Sequence, residues 1–293
     1  MPTIRRAHAG DLSQIYDVIY ETEMADQPHP PPQGGVLPYL KHDLESGVTY
    51  VAEQEGQILA FASLIRRASV AYLTELFVRR RAQSAHLGTT LLHHILPSDI
   101  PTRCTMSSTD PRALALYIRA GMQPKWPHFC LRANAPAPSV LPSTDVEIVK
   151  AQATDPEFLR WDADISGRPR PEDHTYWVRE EGAVPFWFYR RGIVVGYGYV
   201  RLGAGTLWYP DALTVGPIGV RAVEDAVACV VAAVEWARPR AAVLRINVPG
   251  PHPSLAPLLD AGFHITYVET FVSSATEPFF DAQRYLTSGS GLL

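Results

Sequence analysis

A bound phosphate asks a protein for amide donors, room for the backbone to come close, and no opposing charge. The stretch Arg79 to Leu92, RRRAQSAHLGTTLL, offers all three. It follows an apolar run, AYLTELFV, and leads into residues with helical spacing. The first N–H groups of a helix lack partners within it and point along its axis, where the dipole favours an anion. Ser84, Ala85 and Gly88 keep side chains small at that point. Gly88 removes a Cβ where the chain must lie flat against a ligand. Arg79, Arg80 and Arg81 add long-range attraction for a polyanion.

The elements around this stretch follow from its neighbours. PTIRRA reads as a first strand, and Asp11 is placed to cap a helix with Leu12, Ile15, Val18 and Ile19 on one face. The proline-rich stretch His29 to Gly35 excludes regular structure and predicts a mobile loop before a helix over about 37–45. Two strands meet in a hairpin at Gln54-Glu55-Gly56, and SVAYLTELFV is a further strand. GTTLLHHIL is a short helix closed by Pro97, and TRCTMSS is a strand. DPRALALYIRAG carries Asp110 as N-cap, Pro111 at the first helical position and Gly121 at the C-terminus. KWPHFCLRA completes the unit.

Residues 133–145, ANAPAPSVLPSTD, have linker composition and divide the chain into 1–132 and 146–293. The second part echoes the first. GQILAFASLI (Gly56 to Ile65) pairs with GIVVGYGYVR (Gly192 to Arg201), and ALALYIRAGM (Ala113 to Met122) with SLAPLLDAGF (Ser254 to Phe263). The order and spacing of the two matches agree, which predicts an internal duplication of one α/β unit.

Together these marks resemble the GNAT superfamily of N-acetyltransferases. Its pyrophosphate loop, Q/R-x-x-G-x-G/A, corresponds here to Gln83-Ser84-Ala85-His86-Leu87-Gly88, with His86 in place of a glycine. Its N-x-x-A-x-x-L-Y-x-x-x-G-F helix corresponds to Asp110 through Ala113 and Tyr117 to Gly121-Met122, with Asp for Asn and Met for Phe. The resemblance covers about 1–132 well and 146–278 in outline. It implies two mixed α/β domains, each a curved, mostly antiparallel sheet flanked by helices. It also implies acetyl-CoA as co-substrate. Leu76, Phe77 and Val78 would bond the pantetheine arm through their backbone. Amides from Ser84 through Ala85, His86, Leu87 and Gly88 to Thr89 would hold the diphosphate, with Gln83 and Asp110 at its edge. Tyr117 would protonate the departing thiolate. An attacking amine must shed a proton, and Glu75 is the candidate base. The acceptor would be a small-molecule or peptide amine. The same fold without turnover, as a CoA-binding or regulatory protein, is the alternative, and a longer acyl or aminoacyl donor stays open.

The second half lacks this equipment. Glu224 and Asp225 stand where a diphosphate wants amides, and Leu258 stands at the Tyr117 position. This half is expected to support the first, shape its acceptor cleft or dimerise. Tyr197, Tyr199, Trp208 and Tyr209 are read as core, or as a substrate wall. The tail, SGSGLL, is expected to fray.

Composition excludes other classes. A net charge of −4 argues against non-specific nucleic-acid binding. The cysteines Cys104, Cys130 and Cys229 form no CxxC pair, so neither a disulfide framework nor a metal site is expected, and a cytoplasmic location fits. His93, His94 and His128 share no ligand spacing and are assigned to surface or packing. No run reaches the roughly 18 apolar residues of a membrane span, so no membrane partner is expected. The oligomeric state is left as monomer or homodimer.

Overall fold

The computed structural model describes residues 2–83, 86–134, 141–202, 207, 209, 211–289 and 291–293. The first half runs β1 (Thr3–Arg6), α1 (Leu12–Met24), α2 (Pro38–Ser46), β2 (Val48–Gln54), β3 (Gln57–Arg67), β4 (Val70–Val78), α3 (Leu87–Ile95), β5 (Thr102–Ser107), α4 (Pro111–Arg119) and β6 (Gln123–Asn134). The second runs β7 (Val146–Lys150), α5 (Pro156–Ser166), α6 (Pro171–Glu180), β8 (Ala183–Arg190), β9 (Ile193–Arg201), β10 (Leu213–Val220), α7 (Ala226–Ala237), β11 (Val243–Pro249), α8 (Leu255–Asp260) and β12 (His264–Ser273), followed by β13 (Tyr285–Leu286). Apart from β13, the second order repeats the first.

The duplication extends to backbone angles. The β2–β3 hairpin turns at Glu55 and Gly56 with φ of 53° and 76°, and the β8–β9 hairpin turns at Arg191 and Gly192 with 50° and 76°. Two consecutive residues with positive φ match the twist of the flanking strands. The cap of α4 is the expected one, with the Asp110 carboxylate accepting from the Arg112 amide at 2.8 Å. Asp11 departs from expectation. It precedes α1 but does not cap it. Its carboxylate instead accepts from Arg5 at 2.7 and 2.8 Å and from the His8 amide at 2.9 Å. A guanidinium on the adjoining strand competes better than neutral amides. The stretch 29–35 is irregular, as expected, and the Tyr20 hydroxyl donates to the Pro31 carbonyl at 2.5 Å.

Among the described residues, the strands form one sheet in the order β1-β2-β3-β4-β5-β12-β6-β11-β10-β9-β8-β7, with β13 added beside β10. The fold is mixed α/β, a large and mostly antiparallel open sheet flanked by helices. Among the described residues only the β4–β5 and β10–β11 pairs are parallel. At the centre the halves exchange strands: β12 pairs with β5 and β6, and β6 pairs with β12 and β11. One buried cluster crosses this seam, joining Tyr72, Cys104 and Met106 to Phe158, Trp161, Tyr197 and Phe271. The expected linker connects β6 to β7, and its residues 135–140 lie outside the described residues.

The tail corrects an expectation. Leu292 and Leu293 are buried. Arg168 and Arg170 donate to the Leu293 carbonyl at 2.9 and 2.6 Å. Two buried guanidiniums need acceptors, and the chain end supplies one. No helix among the described residues is long and apolar enough to cross a membrane.

The exchange makes each half depend on the other. A chain ending at Asn134 leaves β5 and β6 without β12 between them and is expected to be insoluble. Co-expression with residues 141–293 should restore a soluble complex with the near-UV circular dichroism of the intact chain. A soluble, cooperatively melting fragment ending at Asn134 would contradict this.

Candidate active site

β4 and β5 run together for only three residue pairs, Val70–Tyr72 against Thr102–Cys104. Beyond Tyr72 they part. A bulge opposite Ser63 and Leu64 marks the start of the split on the β3 side. Along the freed edge the Thr105 hydroxyl donates to the Leu73 carbonyl at 2.7 Å, and the Gln83 side chain donates to the Val78 carbonyl at 3.2 Å. Between them, Leu76 and Phe77 pair only with β3 among the described residues. Leu76 and Val78 pack toward α3 and α4, while Phe77 stacks on Phe61 on the α1 side.

The split ends at the start of α3. Leu87, Gly88 and Thr89 occupy its first turn, and Thr90 is the first residue whose amide bonds back, to the His86 carbonyl at 2.9 Å. Ser84 and Ala85 lie outside the described residues. His86 adopts φ 56°, the left-handed conformation that the family's glycine takes without penalty. A Cβ added at Gly88 would meet Val78 Cγ2 at 3.7 Å and Leu116 Cδ2 at 3.8 Å, both ordinary contacts. Packing among the described residues therefore does not demand this glycine.

The three arginines serve elsewhere. Arg79 is buried, donates to the Ile58 carbonyl at 2.8 Å and pairs with Glu21. Arg80 pairs with Asp26, and Arg81 reaches Gln57 at 2.7 Å. Arg112 does reach the loop, donating to Gln83 at 3.3 Å and pairing with Asp110 at 2.7 Å. That pairing holds the Asp110 carboxyl below its usual range.

Tyr117 and Glu75 approach from opposite faces of the sheet. Tyr117 packs with Leu87, Leu91 and Met122 in the α3/α4 cluster. Burial, and then the charge of Glu75, raise its phenol pKa. Glu75 faces α1 and α2. Burial holds its carboxyl well above the normal range, Asp43, Glu23 and Glu269 push it further, and a hydrogen bond from Tyr39 offsets only part of this. The two side chains act on each other through the gap between β4 and β5.

The neighbours of Glu75 were not foreseen. Asp43 is fully buried on α2, accepts from Thr74 at 2.5 Å and leaves its Oδ1 without a partner among the described residues. Burial first, and then the Asp173 charge, push it up to about 8 against the pull of Thr74 and Arg67. Asp173 goes the other way. Burial opposes its ionisation, but hydrogen bonds from His42 and Arg67 and the Arg67 charge bring it down to about 2. Tyr39 and Asp43 lie four residues apart on one helix face, a spacing that could have flagged them. Glu269 and Tyr267 come from β12, and the Tyr267 hydroxyl accepts from the Thr109 amide at 3.4 Å, just ahead of α4. No local pattern announces residues that a strand exchange delivers.

The second half has the same split with a different filling. β10 pairs with β11 over Leu213–Val215, then parts from it. Register places Ile218 and Gly219 where Leu76 and Phe77 stand in the first half. There β13 pairs with them, Leu286 with Ile218 and Tyr285 with Gly219. Tyr197 and Tyr199 are fully buried core, Tyr209 lies under Arg132, and Trp208 lies outside the described residues. Leu258 is buried, and Asp225 before α7 pairs with Arg190.

Comparison with known proteins agrees with this geometry. Residues 13–122 match the acetyltransferase (GNAT) family. Over nearly its whole length the chain has the fold of a Pyrococcus horikoshii protein assigned as an acetyltransferase, with 14% identity, a TM-score of 0.77, and 99% and 95% of the two chains covered. A GCN5-related N-acetyltransferase from Sphaerobacter thermophilus gives 17% identity and a TM-score of 0.66 over 97% and 98%. A tandem GNAT protein from the clavulanic acid biosynthesis pathway gives 15% and 0.64 over 95% and 99%. No curated protein matches the sequence significantly.

Asp43 carries a measurable signature. Its folded pKa lies above its unfolded one, so the folded state holds a proton that the unfolded state has lost between about pH 4 and 8. Stability therefore falls with rising pH across that window, by up to about 1.4 kcal/mol per unit, and levels off above it. Asp43→Asn, which keeps an acceptor for Thr74, should melt higher than the parent at pH 8 and show little difference at pH 4. Equal differences at both pH values would remove the assignment.

Proposed function

We propose that the chain is an acyltransferase that moves an acetyl group from acetyl-CoA to the amine of a small molecule or peptide. In this reading residues 1–132 carry the site, 133–145 link, and 146–293 support it. One observation carries the proposal: the unpaired β4 edge runs from the Tyr117–Glu75 gap to the free amides of α3. The backbone of Leu76, Phe77 and Val78 would hold the pantetheine arm. The amides of Leu87, Gly88 and Thr89, with Ser84, Ala85 and His86 before them, would hold the diphosphate, with Gln83 and Arg112 at its rim. The Asp110 carboxylate is already neutralised by Arg112, so it does not oppose the ligand.

The thioester supplies the acyl group and a thiolate leaving group. Everything else falls to side chains. Tyr117, with its raised pKa, keeps its proton at neutral pH and can deliver it to the departing sulfur. Glu75, lifted by burial and by Asp43, is a stronger base than an exposed carboxylate and can take the amine proton from the α1/α2 side. His86 in a strained conformation is the feature that favours the alternative, a CoA-binding protein without turnover. A longer acyl or aminoacyl donor would use the same edge. Three free cysteines fit a reducing cytoplasm, and monomer and homodimer both remain compatible with the fold.

Binding and turnover are tested apart. Gly88→Ala should slightly raise the melting temperature without coenzyme but weaken acetyl-CoA binding by calorimetry, and Gly88→Glu should abolish it. Unaltered affinity in Gly88→Glu would remove the loop from the cofactor site.

Thiol release with a panel of amines tests the chemistry. Tyr117→Phe should lower kcat at least tenfold with coenzyme affinity preserved. Glu75→Gln should cost about 10²–10⁴-fold and erase a pH limb lying above the usual carboxylate range. Asp43→Asn should shift that limb downward by removing a neighbouring charge. Coenzyme binding with no thiol release for any amine would favour the non-catalytic reading.

A further inference from the structure

At the centre of the exchanged strands, His128 and Cys130 project from one face of β6, and Glu269 stands directly opposite His128 on β12. Their ligand atoms all lie within 4.8 Å of one another. Glu269 Oε2 is 3.5 Å from His128 Nδ1 and 3.8 Å from Cys130 Sγ. His128 is fully buried and Glu269 nearly so, while Cys130 is half-exposed and free. The acetyl-transfer reading uses neither His128 nor Cys130.

The hydrogen bonding of His128 is one-sided. Its Nε2 lies 2.7 Å from the Thr287 hydroxyl, while its Nδ1 is buried and makes no hydrogen bond among the described residues. If Nε2 carries the ring proton toward Thr287, Nδ1 turns a lone pair toward a carboxylate and a sulfur. The Cys130 thiol donates to Glu269, which leaves the buried Nδ1 lone pair unanswered, and a cation taking the place of the thiol proton would face all three donors at once. A metal-bound histidine commonly has its second nitrogen fixed by just such a partner.

We infer that His128 Nδ1, Cys130 Sγ and Glu269 Oε2 form a binding site for a borderline-soft divalent cation of the zinc type. Zinc bonds of about 2.0–2.3 Å in tetrahedral array set donors roughly 3.3–3.8 Å apart. Two of the three separations already fall there or close to it, and the third lies within 4.8 Å. A thiolate and a carboxylate cancel the charge of a dication, so the occupied site is neutral. Arg245 is the positive group facing it from β11, near both Cys130 and Glu269. It stays beside the site with Tyr209 as its neighbour. Binding forms a metal–sulfur bond and releases the Cys130 proton to solvent. Three protein ligands leave a fourth position for water, reached from the exposed side of Cys130. The site ties β6 of one half to β12 of the other, at the seam on which the sheet depends.

Cobalt(II) is the probe, added without coenzyme to the reduced, intact chain under argon. One equivalent should produce a thiolate-to-cobalt charge-transfer band in the near-ultraviolet and intensified visible bands of tetrahedral cobalt, both displaced by zinc. Zinc should also raise the melting temperature, and chelator should reverse the rise. Cys130→Ser, nearly isosteric and partly exposed, should keep the metal-free melting temperature and lose the charge-transfer band. Glu269→Gln should weaken binding at least tenfold. No saturable band at one equivalent, or the same band in Cys130→Ser, overturns the site. Neither readout depends on acetyl transfer, so it stands or falls apart from that reading.

Discussion

Two parallel strands that diverge leave a row of backbone donors and acceptors facing empty space, and such groups are costly to bury unpaired. This constraint governs the molecule. It arises twice, where β4 leaves β5 and where β10 leaves β11, because the two halves share one plan. In the second half the chain answers it itself, laying β13 along the freed edge of β10. In the first half two side chains, Thr105 and Gln83, close the ends of the edge and leave its middle open. The halves thus differ less in fold than in what covers one short stretch of backbone.

The exchange of β6 and β12 decides what surrounds that open stretch. A first half closed on itself would bring only its own residues to the gap. The exchange brings Tyr267 and Glu269 from the far end of the chain, and Glu269 joins Asp43 and Glu23 in raising Glu75. Carboxylates collect on the α1/α2 side while the phenol of Tyr117 stands on the α3/α4 side. The sheet separates the Glu75 carboxyl from the Tyr117 phenol. A second half whose own edge is closed by β13 therefore still shapes the first.

The plan of the first half was legible because its signals are local. Hairpin glycines, the Asp110-Pro111 helix start and the small residues before α3 each act within a few positions. The repeat was visible for the same reason, since Gly56 and Gly192 serve the same turn in both copies. Strand order was not legible. Nothing near His128 indicates that its neighbour is Glu269, because a sheet pairing carries no mark of chain distance. Asp11 was misread because a cap residue and an ion-pair partner look alike until Arg5 is placed beside it. The tail was misread because SGSGLL is flexible by composition, while the donors that hold it, Arg168 and Arg170, are remote.

Equivalent positions separate room kept for protein from room kept for something else. Phe61 faces Phe77 across β3 and β4, and Tyr197 faces Gly219 at the matching place across β9 and β10. A Cβ at Gly219 would come within 2.3 Å of the Tyr197 ring and 2.9 Å of Ile165. That glycine exists because neighbouring side chains have filled the space, as befits a half whose edge is closed by β13. Gly88 is the opposite case, since its surroundings would accept a methyl group at ordinary distance and its backbone is helical. A glycine in a helix costs about 0.5–1 kcal/mol relative to alanine. With no packing or conformational reason among the described residues to offset that cost, the room at Gly88 supports the proposed contact between a ligand and the backbone itself.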